Sequence, residues 1–188
     1  VGMSVFGGCV SNEVYRNDLW ALSLKKYTGK KIAPTQPEDA VPVGRLGATM
    51  IVTTIRNEDK AVLLGGISNG ISINDVWLLN LSNYEWEKVT IVGRSPGGIY
   101  GHTACLIENC IFGYGGSTMD FTGETPALPR FANLWCLSIK NLPPVWTQPK
   151  VTGNVPPKID HTGVMITNDM LLYGGGTDPN VYQLDRND

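Results

Sequence analysis

One short phrase recurs four times around a bulky aromatic residue. It reads Asn17-Asp18-Leu19-Trp20-Ala21-Leu22, then Asn74-Asp75-Val76-Trp77-Leu78-Leu79, then Asn133-Leu134-Trp135-Cys136-Leu137, and last Asn180-Val181-Tyr182-Gln183-Leu184. The aromatics stand 57, 58 and 47 residues apart, and each phrase follows a glycine doublet: Gly7-Gly8, Gly65-Gly66, Gly115-Gly116 or Gly174-Gly175. Self-similarity near a period of 50 identifies an array of one supersecondary unit, whose copies must stack to bury their apolar faces. Such a chain is built to present a surface, and any chemistry belongs to its loops.

More landmarks fall into the same frame. His102 precedes Gly115 by 13 residues, and His161 precedes Gly174 by 13. Ala48 holds the corresponding place in the preceding copy, displaced by the polar turn Arg56-Asn57-Glu58-Asp59. Pro42 to Gly47, Pro96 to Gly101 and Pro156 to Asp160 form the approaches to these positions. A further aromatic follows the phrase at Trp86 and Trp146, with Lys31-Ile32-Ala33 in its place in the first copy. Each unit therefore reads as four short strands. The first spans 48–55, 101–107 and 161–167, and the second spans 3–6, 61–64, 111–114 and 171–173. The third carries the repeated phrase and the fourth carries Trp86 or Trp146. Strands of this length bounded by turn residues suit an all-β chain. Asn-Asp suits a tight lead into the third strand, and the doublets permit positive φ and close backbone approach.

This pattern resembles the kelch repeat, and the resemblance covers essentially the entire chain. It implies a β-propeller of four-stranded antiparallel blades, with a partial blade over 1–33, blades over 45–92 and 99–152, and a partial blade over 159–188. That is three and a half blades, against the commoner count of about six in such rings. The chain is therefore expected to be a fragment of a larger ring. An open arc leaves apolar blade faces unpaired, which favours self-association.

Composition narrows the function. Fifteen basic residues against seventeen acidic give a net charge of −2, and no basic run exceeds two residues. That excludes the electrostatic footprint of a nucleic-acid or membrane-surface binder. No apolar run is long enough to span a bilayer. Cys9, Cys105, Cys110 and Cys136 show no CxxC spacing and read as free thiols in apolar slots, pointing to the cytoplasm or nucleus. Asn80-Leu81-Ser82 matches the glycosylation triplet but is expected inside a strand. His102 and His161 share a repeat position, so a structural bond to nearby backbone is expected rather than metal ligation or catalysis. No GxSxG, HExxH, Walker-type or dinucleotide motif occurs. Two register-bound histidines cannot supply the copper site of a galactose-oxidase-type propeller. The segment is thus read as non-catalytic, without cofactor or metal.

Binding to a protein or peptide is the function the resemblance implies. In kelch propellers the loops between second and third strands, and those leading into the first, rim one mouth of the channel. Carried over by position, the basic places are Arg45 and Lys158, with Ile99 between them, which implies a preference for acidic peptides. The second-to-third-strand loops contribute Tyr15, Arg16 and Asn69. They also include the excursion 117–130, with Met119, Phe121 and Arg130 as apolar and cationic anchors. Tyr100 lies beside this mouth; with Asp160 it is all the chain offers toward a sugar-binding propeller. The alternative placing is a targeting part of a larger enzyme, such as a phosphatase or a ubiquitin-ligase adaptor.

Overall fold

The computed structural model describes residues 2–11, 14–119, 132–167 and 169–176. They form β-sheets with a single 3-10 turn at Glu38–Ala40. The first sheet contains β1 (Gly2–Phe6), β4 (Leu19–Ser23) and β5 (Thr28–Ile32), with the small hairpin β2 (Cys9–Ser11) and β3 (Val14–Tyr15) projecting from it. The second contains β6 (Thr49–Ile55), β7 (Glu58–Leu64), β10 (Val76–Asn80) and β11 (Trp86–Lys88), with the hairpin β8 (Ile67–Ser68) and β9 (Ile71–Ser72). The third contains β13 (Tyr100–Ile107), β14 (Cys110–Ser117), β15 (Leu134–Ser138) and β16 (Val145–Thr147). At its edge β12 (Val92–Gly93) pairs in parallel with β16, so residue 92 joins the third sheet and not the blade it follows. The hairpin β17 (Thr162–Ile166) and β18 (Asp169–Tyr173) opens the fourth.

The antiparallel register explains the repeated phrase. In the second blade Trp77 faces Leu63, and Leu79 faces Ala61. In the third Trp135 faces Gly113, and Leu137 faces Ile111. Side chains alternate across each strand, and here both faces are covered. Ala61, Leu63, Trp77 and Leu79 pack with Leu19 and Trp86, with Phe6 and Ile32 of the first blade against them. Val62, Leu64, Val76 and Leu78 point the other way, into Ile111, Trp135, Leu137 and Trp146 of the third blade. The second blade is therefore the filling between its neighbours, with a run of four buried residues at Ala61–Leu64. Burying each such leucine contributes about 1.5–3 kcal/mol.

The outer blades lack one of these coverings. Trp20 is 40% exposed, unlike Trp77 and Trp135 at 6% each, so the first repeated aromatic is not core as the other two are. At the other end Leu171 and Tyr173 are exposed along β18. The phrase around Tyr182 lies outside the described residues.

Two expectations require correction. Asn80-Leu81-Ser82 is not inside a strand. Asn80 ends β10, and its side chain accepts bonds from the Ser82 amide at 2.8 Å and hydroxyl at 2.6 Å, which closes a turn. All four cysteines are free, but only Cys105 and Cys136 are buried; Cys9 is exposed. Burial raises both buried thiols, and Cys136, beside Cys110, is pushed up to about 11.

Candidate binding rim

The two glycines of each doublet do different work. The first presses on the following blade: a Cβ on Gly7, Gly65 or Gly115 would lie 2.6, 2.5 or 2.4 Å from the carbonyl oxygen of Arg45, Ile99 or Lys158. The second presses on its own blade's first strand: a Cβ on Gly66 or Gly116 would meet Ala48 Cβ at 3.0 Å or the Tyr100 oxygen at 2.8 Å. Backbone bonds fix the same joint. Gly8, Gly66 and Gly116 donate to Arg45, Ile99 and Lys158 at 2.8, 2.8 and 2.7 Å. The doublet is where one blade is stitched to the next.

These stitches place the loops along one rim. A Cβ at Gly44 would lie 2.5 Å from the Tyr15 oxygen, and one at Gly98 would lie 2.2 Å from the Ser72 oxygen. The hairpin loop of each blade thus rests on the chain approaching the next blade's first strand. Ser72 also ties the third blade's loop to the second blade's hairpin. Its amide donates to the Met119 carbonyl at 2.8 Å, and its hydroxyl accepts from the Met119 amide at 2.6 Å.

On this rim the expected residues diverge in role. Arg16 is exposed and Tyr15 half-buried, while the Arg16 amide and carbonyl are held by Gly8 and Arg45. Met119 is half-buried, and so is Tyr100, which pairs with Ser117 across the third sheet. Lys158 is half-buried and donates to the Gly174 carbonyl at 2.9 Å. Phe121 and Arg130 lie outside the described residues.

Arg45 departs from the expected binding role. Its side chain does not point into a channel mouth but is 1% exposed. It donates to Asp75 through Nη1 and Nη2 at 2.5 and 3.0 Å, to the Gly65 carbonyl at 2.9 Å and to the Val43 carbonyl at 3.1 Å. Asp75 also accepts the Trp77 indole N–H at 2.8 Å. Arg45 thereby fastens the head of the first strand to the doublet and to the repeated phrase. Lys158 makes the equivalent of the doublet bond in the fourth blade. Asp75, whose Asn-Asp pair suits a tight lead into the third strand, is also the receiver of this fastening. Its signal was in the repeats: where Ile99 replaces arginine, Asn133 replaces aspartate.

The histidines also depart from expectation, for neither is bonded to nearby backbone. His102 Nε2 lies 2.9 Å from Thr49 Oγ1 of the preceding blade. His102 Nδ1 and both nitrogens of His161 are buried without a hydrogen-bond partner among the described residues. His161 packs edge-on to Tyr114 at 6.1 Å. Burial, aided by the other histidine, lowers His102 to about 4, and burial followed by Lys158 lowers His161. Both rings are therefore neutral wedges between blades at pH 7. A depressed folded-state value means the unfolded chain binds the proton first, so stability is intact above about pH 6.5 and is lost toward pH 4. The loss assignable to His102 is about 3 kcal/mol. It is measured by urea unfolding at pH 7 and pH 4 of wild type against His102→Gln, where the variant should show the smaller decline. Equal declines would contradict it.

Among the described residues no three His, Cys, Asp or Glu side chains converge as a metal site. The rim offers backbone edges, an exposed guanidinium and half-buried aromatic and thioether groups.

Comparison with known proteins agrees with this architecture. Residues 2–187 match the KLHDC2/KLHL20/DRC7 kelch-repeats domain. Host cell factor homolog hcf-1 of Caenorhabditis elegans is 29% identical over 90% of this chain and 23% of its own length. Tip elongation aberrant protein 1 of Schizosaccharomyces pombe is 26% identical over 95% of this chain and 15% of its own. Host cell factor 2 of Homo sapiens is 28% identical over 91% of this chain and 22% of its own. The chain spans less than a quarter of the length of each of these relatives. With doublets and aromatics recurring in one sequence register and blades stacked through the described residues, the chain belongs to the KLHDC2/KLHL20/DRC7 kelch-repeat family.

Proposed function

We propose that this kelch domain is a non-catalytic interaction module that holds a protein or peptide partner on the rim formed by its hairpin loops. The observation that carries the reading is the stitching of successive loops into one surface, above all Ser72 to Met119. With Arg45 committed to Asp75, cationic character on the described rim rests on Arg16 and Lys158. Their spread across the rim suits an extended acidic segment, with Tyr15, Tyr100 and Met119 as its apolar contacts. Free thiols beside one another at Cys110 and Cys136 fit a reducing compartment, cytoplasm or nucleus.

The test is an array of Asp/Glu-rich 15-residue peptides and their scrambles, with hits titrated in solution. Arg16→Glu combined with Lys158→Gln should weaken the best acidic hit at least about 10-fold, as salt should also do. Lys88→Glu, on the fourth strand of the second blade, should leave it unchanged. Equal binding by the rim variant would remove these residues from the site.

A further inference from the structure

We propose that the hollow between the second and third blades binds a small uncharged molecule by its carbonyl oxygen, with the indoles of Trp135 and Trp146 as the donors. This site is distinct from the loop rim and does not depend on it.

The third blade departs from the other copies at several positions that meet in one place. In the second blade Trp77 faces Leu63, which faces Met50 on the first strand. The same row in the third blade reads Trp135, Gly113 and Ala104. Two residues before the doublet the other copies carry Val5, Leu63 and Leu172, so the third alone has no side chain there. Its backbone does not call for glycine. Gly113 has no left-handed φ, and among the described residues a Cβ on it would meet only the Thr103 oxygen, at 3.7 Å. Ile99 and Asn133 stand where the second blade has Arg45 and Asp75. Trp20 and Trp77 donate their indole N–H to Asp18 and Asp75 at 3.0 and 2.8 Å, and the third blade has no such aspartate for Trp135.

These substitutions leave a hollow lined by Leu64 and Asp75 of the second blade and by Ile99, Gly113, Trp135 and Trp146 of the third. A water-sized sphere can be centred in about 20 Å³ of it, room for roughly one or two such groups. The whole space between atoms, mouth included, is about 410 Å³. A narrow polar head therefore fits inside, with the rest of a small molecule behind it. Trp135 Nε1, Trp146 Nε1 and His102 Nδ1 belong to lining residues and are buried without a hydrogen-bond partner among the described residues. An indole nitrogen can only donate, and His102 Nδ1 donates as well when Nε2 accepts the Thr49 hydroxyl. The side-chain acceptors of the lining are already engaged. Asp75 receives Arg45 and Trp77, and Asn74 Oδ1 receives the Ser95 hydroxyl at 2.7 Å. A water in the hollow would need acceptors for its own two hydrogens, whereas a carbonyl oxygen takes two donors and brings none. Charge selects against a carboxylate, because the Asp75 carboxylate, 13% exposed, forms part of the same wall. Leu64, Ile99 and Ala104 suit the alkyl groups beside such a carbonyl.

The probe is N-methylacetamide, titrated into isotope-labelled protein while the indole N–H resonances are followed by heteronuclear NMR. Trp135→Phe and Trp146→Phe each delete one of the five indole signals and so assign it. Those two signals should move saturably, with a dissociation constant on the order of 10 mM, while the Trp20 signal stays in place. Acetate, of similar shape but anionic, should bind at least about 10-fold more weakly. Gly113→Leu restores the residue of the second blade and should abolish the saturable shift. Gly113→Ala adds a Cβ with no close neighbour among the described residues, so it keeps the fold, and it should weaken binding at least about 3-fold. A drift of all indole signals without saturation would leave the hollow to water and overturn the assignment. An affinity that both Gly113 variants leave unchanged, or acetate binding as tightly as the amide, overturns it too.

Discussion

Arg45→Ala is expected to cost the fold about 3–5 kcal/mol, the usual penalty for stripping one partner from a buried ion pair. Among the described residues the variant leaves the Asp75 carboxylate, 13% exposed, with only the Trp77 indole, and it orphans the Gly65 carbonyl at the joint between blades. It also removes the aliphatic stem that covers Gly66. The third blade supplies the compensating change, since it carries Ile99 and Asn133 at these two places and still buries Trp135 to 6%. The double variant Arg45→Ile/Asp75→Asn should therefore recover at least half of the single variant's loss, because no unpaired charge remains. Urea midpoints at constant m-value measure both. A loss below about 1 kcal/mol for Arg45→Ala would show that the pair is not a fastening.

Arg45 also shows where a sequence stops being legible. The repeat frame was readable because it is written in residues with one physical use each. Glycine doublets mark backbone contacts too close for a Cβ, and Trp77, Trp86, Trp135 and Trp146 mark buried strand faces. A basic residue has two uses, and position alone does not choose between them. Arg45 folds back because Asp75 is there to receive it, whereas Arg16, with its backbone held by the same joint, leaves its side chain in water. The histidines failed in the same way. A shared repeat position correctly implied a shared structural job, but the job is to wedge neighbouring blades, which only the stacking reveals. The weak fourth strand of the first blade was readable for the converse reason. Lys30 and Lys31 pair with Ala21 and Trp20 through backbone bonds that need no aromatic.

The second large effect separates the backbone cost of a doublet glycine from its role between blades. Gly115 and Gly174 are the same repeat residue, with φ of 69° and 74°, so alanine pays the same left-handed penalty at either, about 1–2 kcal/mol. Their surroundings differ. A Cβ on Gly115 would lie 2.4 Å from the Lys158 oxygen and 2.7 Å from His161 Cε1, both belonging to the next blade. At Gly174 nothing among the described residues lies within 4 Å. A backbone carbonyl in a stitched joint cannot swing aside as a flexible side chain would, so relief requires parting the blades. Gly115→Ala is accordingly expected to lose about 3–4 kcal/mol, with Gly174→Ala confined to the backbone cost. Because the joint also carries the Gly116 amide to Lys158 bond, the lost stability should appear as faster hydrogen exchange at Gly116 and along β17 before β7 or β10. Equal losses at the two glycines would mean that the doublet serves only its own turn, and the blades would then be held together by their apolar faces alone.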